Sequence, residues 1–442
     1  METLYKQFLQ SFQRHAQKVA VKKGKRLWTY KELWNSVVKC RKRLSALALP
    51  EQSIISFDGE PSFDGIALLI ACLLEEQVLF LINRRLPDFF LQNRLKNLTV
   101  ALSIGEKRLG KRHLSAQGFF TSVPAGSTIR NAPLLFEKPC TMIFTSGTTN
   151  LPKIALHSGS NHLYSALGAQ THVKLLPSST WFLSLPLYHV AGLGIVFRTL
   201  LHGASIRIPE EEEGLPVDVT HISVIETTFR RLCASLQEHR LSCVMLGGGP
   251  ISSDLVDLAT AHQLPMLYTY GMTEMSSHIC NATTLYRKGK AVCYGLPHSH
   301  AEVQVRNGEL FVRGNARFLG YYPLKKQETF WFGTKDAGAI DEEQKVWIHG
   351  RKDRQFISGG ENIQPAEIEE ALLACPGVEF AQVFPKPDPT FGMCAVAMVR
   401  MSLPFDEIAL KNSLKKRLPR YKIPKKIFLE TGSISSLQGK FF

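Results

Sequence analysis

Val244-Met-Leu246 runs straight into Gly247-Gly-Gly249, and the helical pattern from Ile251 to Ala261 is followed at once by a second apolar stretch, Met266-Leu-Tyr-Thr-Tyr270. A strand, a glycine turn, a helix and a further strand form a βαβ unit, which closes with its strands parallel and its helix on one face of the sheet. A similar order occurs upstream, where the helix-like Gly194-Ile-Val-Phe-Arg-Thr-Leu-Leu201 precedes the strand Ser205-Ile-Arg-Ile208. The chain therefore reads as α/β, with ligand sites at strand ends. Its 442 residues exceed one ordinary core, so a large N-terminal unit and a smaller C-terminal one are expected. Gly350-Arg-Lys-Asp353 closes one block, and a fresh αβ pattern follows, with Pro365–Leu373 as helix and Cys394–Val399 as strand. The expected domains are 1–352 and 353–442.

A second strand end carries more specific chemistry. The alternating run Cys140-Thr-Met-Ile-Phe144 reads as a strand and opens into Thr145-Ser-Gly-Thr-Thr-Asn-Leu-Pro-Lys153, a loop of small hydroxyls ending in a cation. Amides and hydroxyls left unpaired at such a strand end suit a polyphosphate. The kinase-type loop needs a glycine just before the lysine and a Ser or Thr just after it, and Pro152 and Ile154 stand there instead. Taken alone, the segment could equally be a hydroxyl-rich surface turn. A rival, Gly105-Glu-Lys-Arg-Leu-Gly-Lys-Arg112, has phosphate-loop glycine spacing but places Arg112 where the metal-binding hydroxyl belongs, and reads as an exposed basic connector.

Charge and cysteine content narrow the classes. A formal net charge of +15 fits nucleic-acid binding, attraction of small anionic substrates, or a general basic bias. The densest basic run, Lys411 to Lys426, contains no acid and reads as a solvated helix face or a phosphate-binding surface. Nine cysteines are scattered without a C-x-x-C pair, which supports neither a zinc knuckle nor a redox motif and leaves buried, reduced thiols as the expectation. No apolar run is long enough to span a bilayer, and Met1–Phe8 lacks the apolar core of a signal peptide, so a cytoplasmic location is expected.

Six segments fall into one order: Thr145–Lys153, Tyr270-Gly-Met-Thr-Glu274, Trp331-Phe-Gly-Thr-Lys-Asp336, Gly350-Arg-Lys-Asp353, Ser358-Gly-Gly-Glu-Asn-Ile363 and Gly439-Lys440. In these segments the chain resembles, over essentially its whole length, the adenylate-forming superfamily of acyl-CoA synthetases, adenylation domains and luciferases. The resemblance implies an α/β fold: a large N-terminal adenylate-forming domain of βαβ layers and a small mobile α+β C-terminal domain. It also implies ATP, Mg²⁺ and coenzyme A acting with a carboxylic acid, small-molecule substrates only, no nucleic acid and no membrane span.

Attack of a carboxylate on the α-phosphate of ATP makes a crowded anionic transition state, which needs donors, cations and a metal where charge develops. By resemblance, Thr145, Ser146, Gly147, Thr148, Thr149 and Lys153 hold the β- and γ-phosphates, and Glu274 is the magnesium-associated acid. Thr149, Glu274 and Lys440 form the implied catalytic set. Gly247, Gly248 and Gly249 permit close backbone approach, and Tyr270, followed by Gly271 and Thr273, offers a flat face for adenine. Asp336 is implied to accept from the ribose hydroxyls, with Arg351 nearby. Asp353 resembles the hinge residue, and Ser358, Gly359, Gly360 and Glu361 would line the pantetheine channel. The chain departs from the pattern at its end: no proline stands just before Gly439, and only two residues follow Lys440.

Within the superfamily, Leu185–Gly192, Trp331–Gly338 and Arg351–Pro365 are most similar to the ligases that activate o-succinylbenzoate in menaquinone biosynthesis. That acid is an aromatic dianion, so its non-reacting carboxylate needs a cation of its own. Arg198, in an otherwise apolar helix, and His189, on the preceding loop, are the candidates. A buried Arg is costly unless a carboxylate meets it, from either the protein or the ligand. A ligase for another aryl or short-chain acid is the second reading, and a basic nucleic-acid-binding protein the third.

Overall fold

The structure, a computed structural model, describes residues 2–86, 88–121, 129, 136–145, 153–210, 214–236, 239–249, 251, 253–288, 291–324, 329–352, 354, 356–358, 361–389, 391–418 and 420–430. The chain divides into two compact units. One comprises 1–285, 294–303 and 312–332, the other 286–293, 304–311 and 333–442. The expected boundary at 352/353 lies further along the chain than the last of these divisions, and Asp353 is outside the described residues.

The first unit holds two large sheets. In the seven-stranded sheet the order is Gly320–Tyr321, Ile154–Ser158, Pro139–Phe144, Val78–Leu81, Ile54–Phe57, Val100–Ile104, Arg112–Leu114. Ile54–Phe57 pairs in parallel with both neighbours, as strands joined by covering helices must. One such helix, Phe63–Leu74, is apolar nearly all round and buried from Gly65 to Leu74; Ser62 caps it, its hydroxyl accepting from the Gly65 amide at 3.0 Å. The eight-stranded sheet runs Ser277–Ala282, Met266–Met272, Cys243–Leu246, His221–Val224, Thr180–Phe182, Ser205–Arg207, Val19–Lys23, Arg26–Thr29.

The βαβ unit expected from sequence is present. Cys243–Leu246 pairs in parallel with Met266–Met272 in the register Val244↔Met266 and Leu246↔Tyr268, with Ser253–Ala261 as the connecting helix. The helices Gly159–Val173 and Val190–Leu201 contribute Leu163, Ala166, Ile195 and Phe197 to a core that also takes Phe8, Tyr30 and Trp181. Ser158 and Asn161 close a reciprocal cap on the first of these helices. All nine cysteines are buried free thiols.

A six-stranded sheet contains Tyr286–Lys288, Ala291–Cys293, Val346–Arg351, Phe332–Ile340, Glu309–Gly314 and Ala301–Arg306 in that order. The second unit has the hairpin Phe356–Ser358 with Glu361–Ile363, and a three-stranded sheet of Val378–Asp388, Gly392–Met401 and Lys426–Leu429. Helices Pro365–Leu373 and Glu407–Lys415 pack there, with Ile368, Leu372, Val399, Leu410 and Leu414 in the core. The basic run resolves into ion pairs: Lys411 and Lys426 reach Glu407 at 2.9 and 3.0 Å, Lys422 reaches Glu367 at 2.7 Å, and Lys425 meets Asp388. Four of its eight cations are thus paired within the protein. No helix among the described residues is long and apolar enough to cross a membrane.

Candidate active site

The two ends of the hydroxyl-rich loop are clasped. The Thr145 amide donates to the Lys153 carbonyl at 2.8 Å, and the Lys153 amide donates to the Thr145 hydroxyl at 3.3 Å. The clasp closes the antiparallel pair of Pro139–Phe144 with Ile154–Ser158, so the loop leaves a fixed base at a strand end. Ser146, Gly147, Thr148 and Thr149 lie outside the described residues. Lys153 is exposed, and its Nζ sits 4.6 Å from the centroid of the Tyr321 ring, within cation–π range. The rival loop after Gly105 already has an anion: the amides of Glu106 and Lys107 donate to the buried Asp58 carboxylate, at 3.0 and 2.7 Å. A phosphate could not share that cradle.

Glu274 rides on a constrained turn. The strand Met266–Met272 bulges between Tyr270 and Gly271 as it pairs with Ser277–Ala282. A Cβ on Gly271 would stand 2.2 Å from the Ser277 carbonyl oxygen, so only glycine fits there. One 3₁₀ turn, Thr273–Met275, follows, and then Ser276 at φ 55° and Ser277 at φ 141°. Such backbone costs on the order of 1–3 kcal/mol per residue and persists where the surroundings over-determine it. Here they do: Ser276 Oγ donates to the Ala316 carbonyl at 2.8 Å, Ser165 Oγ to the Ser276 carbonyl at 3.0 Å, and the Phe318 amide to the Glu274 carbonyl at 2.9 Å. His157 Nε2 meets the Thr273 carbonyl at 2.8 Å. Burial lowers the His157 pKa to about 4, so the ring is neutral at pH 7 and bonds the carbonyl as an Nε2–H donor.

The Glu274 side chain is 9% exposed, and Tyr321 donates its hydroxyl to Oε1. Oε2 has no hydrogen-bond partner among the described residues. One fixed carboxylate with an open oxygen fits Mg²⁺, a cation that keeps waters and phosphate oxygens in its shell. Among the described residues no three His, Cys, Asp or Glu side chains converge as a metal cage.

The glycine turn after Leu246 has specific causes. At Gly247 a Cβ would stand 2.2 Å from the Thr269 hydroxyl, and Gly248 adopts φ 84°. Gly249 has open space where its Cβ would be. Tyr270 lies 6.0 Å from the Tyr294 ring, centroid to centroid.

Arg198 is 2% exposed. Its Nη1 reaches the Met245 Sδ at 3.3 Å, Nη2 reaches Ser277 Oγ at 3.5 Å and His278 Nδ1 at 3.4 Å, and the guanidinium lies 4.9 Å from the Trp181 ring centroid. Nε has no partner. Burial lowers its pKa to about 10 and holds His278 well below the ordinary imidazole value, so a full positive charge sits among neutral groups at pH 7. No carboxylate among the described residues pairs with it, which leaves the protein salt bridge considered above without a partner. Gly194, four residues earlier, makes the room, since a Cβ there would stand 2.8 Å from Arg198 Nη2. His189 is exposed at the helix start and makes no side-chain cap bond. It and Arg198 are about two and a half helical turns apart, on opposite sides of the helix; the structure does not bring the two together.

In the second unit, Asp336 and Arg351 face each other across paired strands, with Arg351 Nη1 3.5 Å from Asp336 Oδ1. The Asp336 amide donates to Thr334 Oγ1 at 3.0 Å, and Arg351 Nη1 also donates to the Thr334 carbonyl at 3.1 Å. Asp336 is therefore a buried, ion-paired strand residue and not a turn aspartate. Ser358 is buried and pairs with Glu361 in a hairpin. Gly359, Gly360, Asp353 and Lys440 lie outside the described residues, as does the Glu361 side chain.

Residues 8–322 match the AMP-binding enzyme family, and residues 367–432 match the AMP-binding enzyme C-terminal domain. The chain belongs to the AMP-binding enzyme family. Among its relatives is the 2-succinylbenzoate–CoA ligase of Geobacillus kaustophilus, 30% identical, with 93% of this chain and 91% of that protein aligned. The ligase of the same name from Staphylococcus aureus is 28% identical over 96% of this chain and 94% of its own. Of solved structures, an arginine-to-lysine variant of E. coli MenE with bound OSB-AMS is 26% identical, with a TM-score of 0.83, covering 98% of this chain and 95% of that one. A Bacillus subtilis MenE complex with the acyl-adenylate OSB-AMP, 23% identical with a TM-score of 0.86 over 96% of this chain and 94% of its own, shares the fold.

For an AMP-binding enzyme, the residues of the first unit that meet are Lys153, Tyr321 and Glu274, and Thr145 with Lys153. Sequence reasoning missed Tyr321, His157, Ser277 and His278. Tyr321 had no local signal, standing 47 residues from the carboxylate it holds. Gly194 did have one: a glycine four residues before a lone arginine in an apolar helix marks where the guanidinium folds back.

Proposed function

We propose that the chain is an ATP-dependent ligase that joins o-succinylbenzoate to coenzyme A through an acyl-adenylate, with release of AMP and pyrophosphate. The family and its 2-succinylbenzoate–CoA ligase relatives support the reaction. The observation that carries the substrate is Arg198, a buried guanidinium among neutral partners. A charge so placed is stabilised most by an anionic ligand, and the non-reacting benzoate carboxylate is one. His189, exposed at the start of the same helix, is assigned an outer contact to the acid.

In the first half-reaction the succinyl carboxylate attacks the α-phosphorus and the α–β phosphoanhydride bond breaks, so pyrophosphate leaves. Thr145, Ser146, Gly147, Thr148, Thr149 and Lys153 hold the β- and γ-phosphates, and Glu274, steadied by Tyr321, would hold Mg²⁺, which when bound neutralises phosphate charge. Gly247, Gly248, Gly249, Tyr270, Gly271 and Thr273 frame the adenine, while Asp336 and Arg351 take the ribose. Lys440 reaches the α-phosphate. In the second half-reaction the coenzyme A thiolate attacks the acyl carbonyl and AMP leaves. Rotation at Asp353 separates the two steps, with 353–442 as the moving domain and Ser358, Gly359, Gly360 and Glu361 lining the pantetheine channel. The substrates are small molecules, with no nucleic acid among them, and we assign the enzyme to the cytoplasm, where ATP and coenzyme A are at hand.

Pyrophosphate release, with identification of the nucleotide product, across a panel of carboxylic acids tests this reading. AMP formation strongest with o-succinylbenzoate is expected. Preference for a monocarboxylic aryl or short-chain acid would shift the assignment to a general acyl-CoA synthetase, and ADP as product would end it.

A further inference from the structure

We infer that His157 is a positioning residue for the metal-holding carboxylate: its imidazole pins the Thr273 carbonyl and thereby fixes the turn that carries Glu274. The inference rests on the reading of Glu274 as the Mg²⁺-associated acid. His157 lies on Ile154–Ser158, the strand that begins just after Lys153, and it is wholly buried. Its Nε2 contacts the Thr273 carbonyl at 2.8 Å, 116 residues along the chain. The same carbonyl accepts from the Ser276 amide at 3.1 Å, the bond that closes the 3₁₀ turn. Both lone pairs of that oxygen are thus engaged, one by the turn itself and one by the strand that leaves the phosphate loop.

The orientation of the ring is set from behind. His162 stands against it, centroids 5.2 Å apart, bonds through Nε2 to the Thr141 hydroxyl at 2.8 Å, and stacks on Phe197 at 4.7 Å with the planes 5° from parallel. Thr141 belongs to Pro139–Phe144, the strand that enters the phosphate loop. Strand in, strand out and metal turn are therefore joined through two buried imidazoles. Among the described residues Nδ1 of His157 has no partner, and the Thr273 bond is the only hydrogen bond the ring makes there. A buried donor serving a single carbonyl on a strained turn acts on where Glu274 points.

Residues behind a metal ligand commonly set affinity by ten- to hundredfold. His157→Leu removes the donor and is expected to weaken Mn²⁺ binding in the presence of ATP about tenfold, read by electron paramagnetic resonance, with metal-free ATP binding unchanged. His157→Gln places an amide N–H near the position of Nε2 and is expected to stay within about threefold of wild type. His157→Asn, too short to reach Thr273, should behave as Leu does. The Gln and Asn pair keeps the test decisive if the Leu variant does not fold. Equal metal affinity in Gln and Asn, with Glu274→Gln impaired, overturns the role of His157 alone. Full metal affinity in Glu274→Gln overturns the reading of Glu274 and this inference with it.

Discussion

Tyr321 joins two charges of the candidate phosphate site, donating its hydroxyl to Glu274 Oε1 while its ring lies 4.6 Å from Lys153 Nζ. The strand Gly320–Tyr321 is hydrogen-bonded to Ile154–Ser158, with Tyr321 opposite Ala155, so the ring is held by the backbone that emerges from the loop. Phe318 packs edge-on against it at 4.9 Å. The hydroxyl and the ring can be removed separately.

Tyr321→Phe keeps the face under Lys153 and deletes the donor to the carboxylate. A hydrogen bond to a charged group contributes about 1.5–3 kcal/mol, so kcat/KM for ATP should fall roughly ten- to hundredfold, with a higher Mg²⁺ requirement. Tyr321→Leu should add a further loss by freeing Lys153. Steady-state pyrophosphate release against ATP and Mg²⁺ separates the two, and equal defects in both variants would remove the ring from the account.

In the proposed role, Arg198 sets stability against selectivity. An uncompensated buried cation destabilises the fold, so Arg198→Met should raise the urea midpoint, by ~1–4 kcal/mol in free energy. The same change should reduce turnover of o-succinylbenzoate by roughly ten- to hundredfold while sparing an analogue that lacks the benzoate carboxylate. Gly194→Ala is the milder test. Its methyl would stand 2.8 Å from Nη2, so it should raise KM for the dicarboxylate without loss of stability, because the group displaced is the end of a flexible side chain. An equal loss on both acids would point away from Arg198 as the carboxylate partner.

Local order was legible in the sequence and long-range pairing was not. The unit from Cys243 through Met272 was visible because strand, glycine turn and helix each leave a periodic mark within a few residues. Arg198 stood out as one cation in an apolar helix. Its want of a carboxylate could not be read, since Met245, Ser277 and His278 reach it from strands 47 to 80 residues away. The Asp336–Arg351 pair depends on strand register, and a single-residue shift would have sent the two to opposite faces. Asp58 is a further case: the Gly105–Arg112 loop reads from sequence as a basic connector for want of a metal-binding hydroxyl, but the distant carboxylate that fills its amides left no local mark.

If Lys440 acts as proposed, only while the α-phosphorus gains charge, Lys440→Ala should suppress adenylation by several orders of magnitude yet leave thioester formation from supplied acyl-adenylate largely intact. Asp353→Pro should trap one domain orientation by fixing φ, and so impair one half-reaction more than the other. Single-turnover assays of each step provide the comparison. Equal loss of both steps in Lys440→Ala would exclude the selective role.

Acid should destabilise this protein through its buried histidines. Burial lowers the pKa of His157 to about 4 and that of His298 to about 3, and pushes His162 and His278 well below the ordinary value. In the unfolded chain these rings titrate near 6.5. Above that pH neither state binds the protons and the stabilisation is fully present. As pH falls below it, the unfolded state takes up protons that the native state refuses, so stability declines until the folded pKa values are reached. For His157 alone the loss approaches roughly 3 kcal/mol by pH 4. Urea midpoints measured from pH 7.5 to 4.5 should fall steadily below pH 6.5, and His157→Gln should flatten part of that slope. A midpoint unchanged between pH 6.5 and 5 would mean that these rings are not held neutral in the fold.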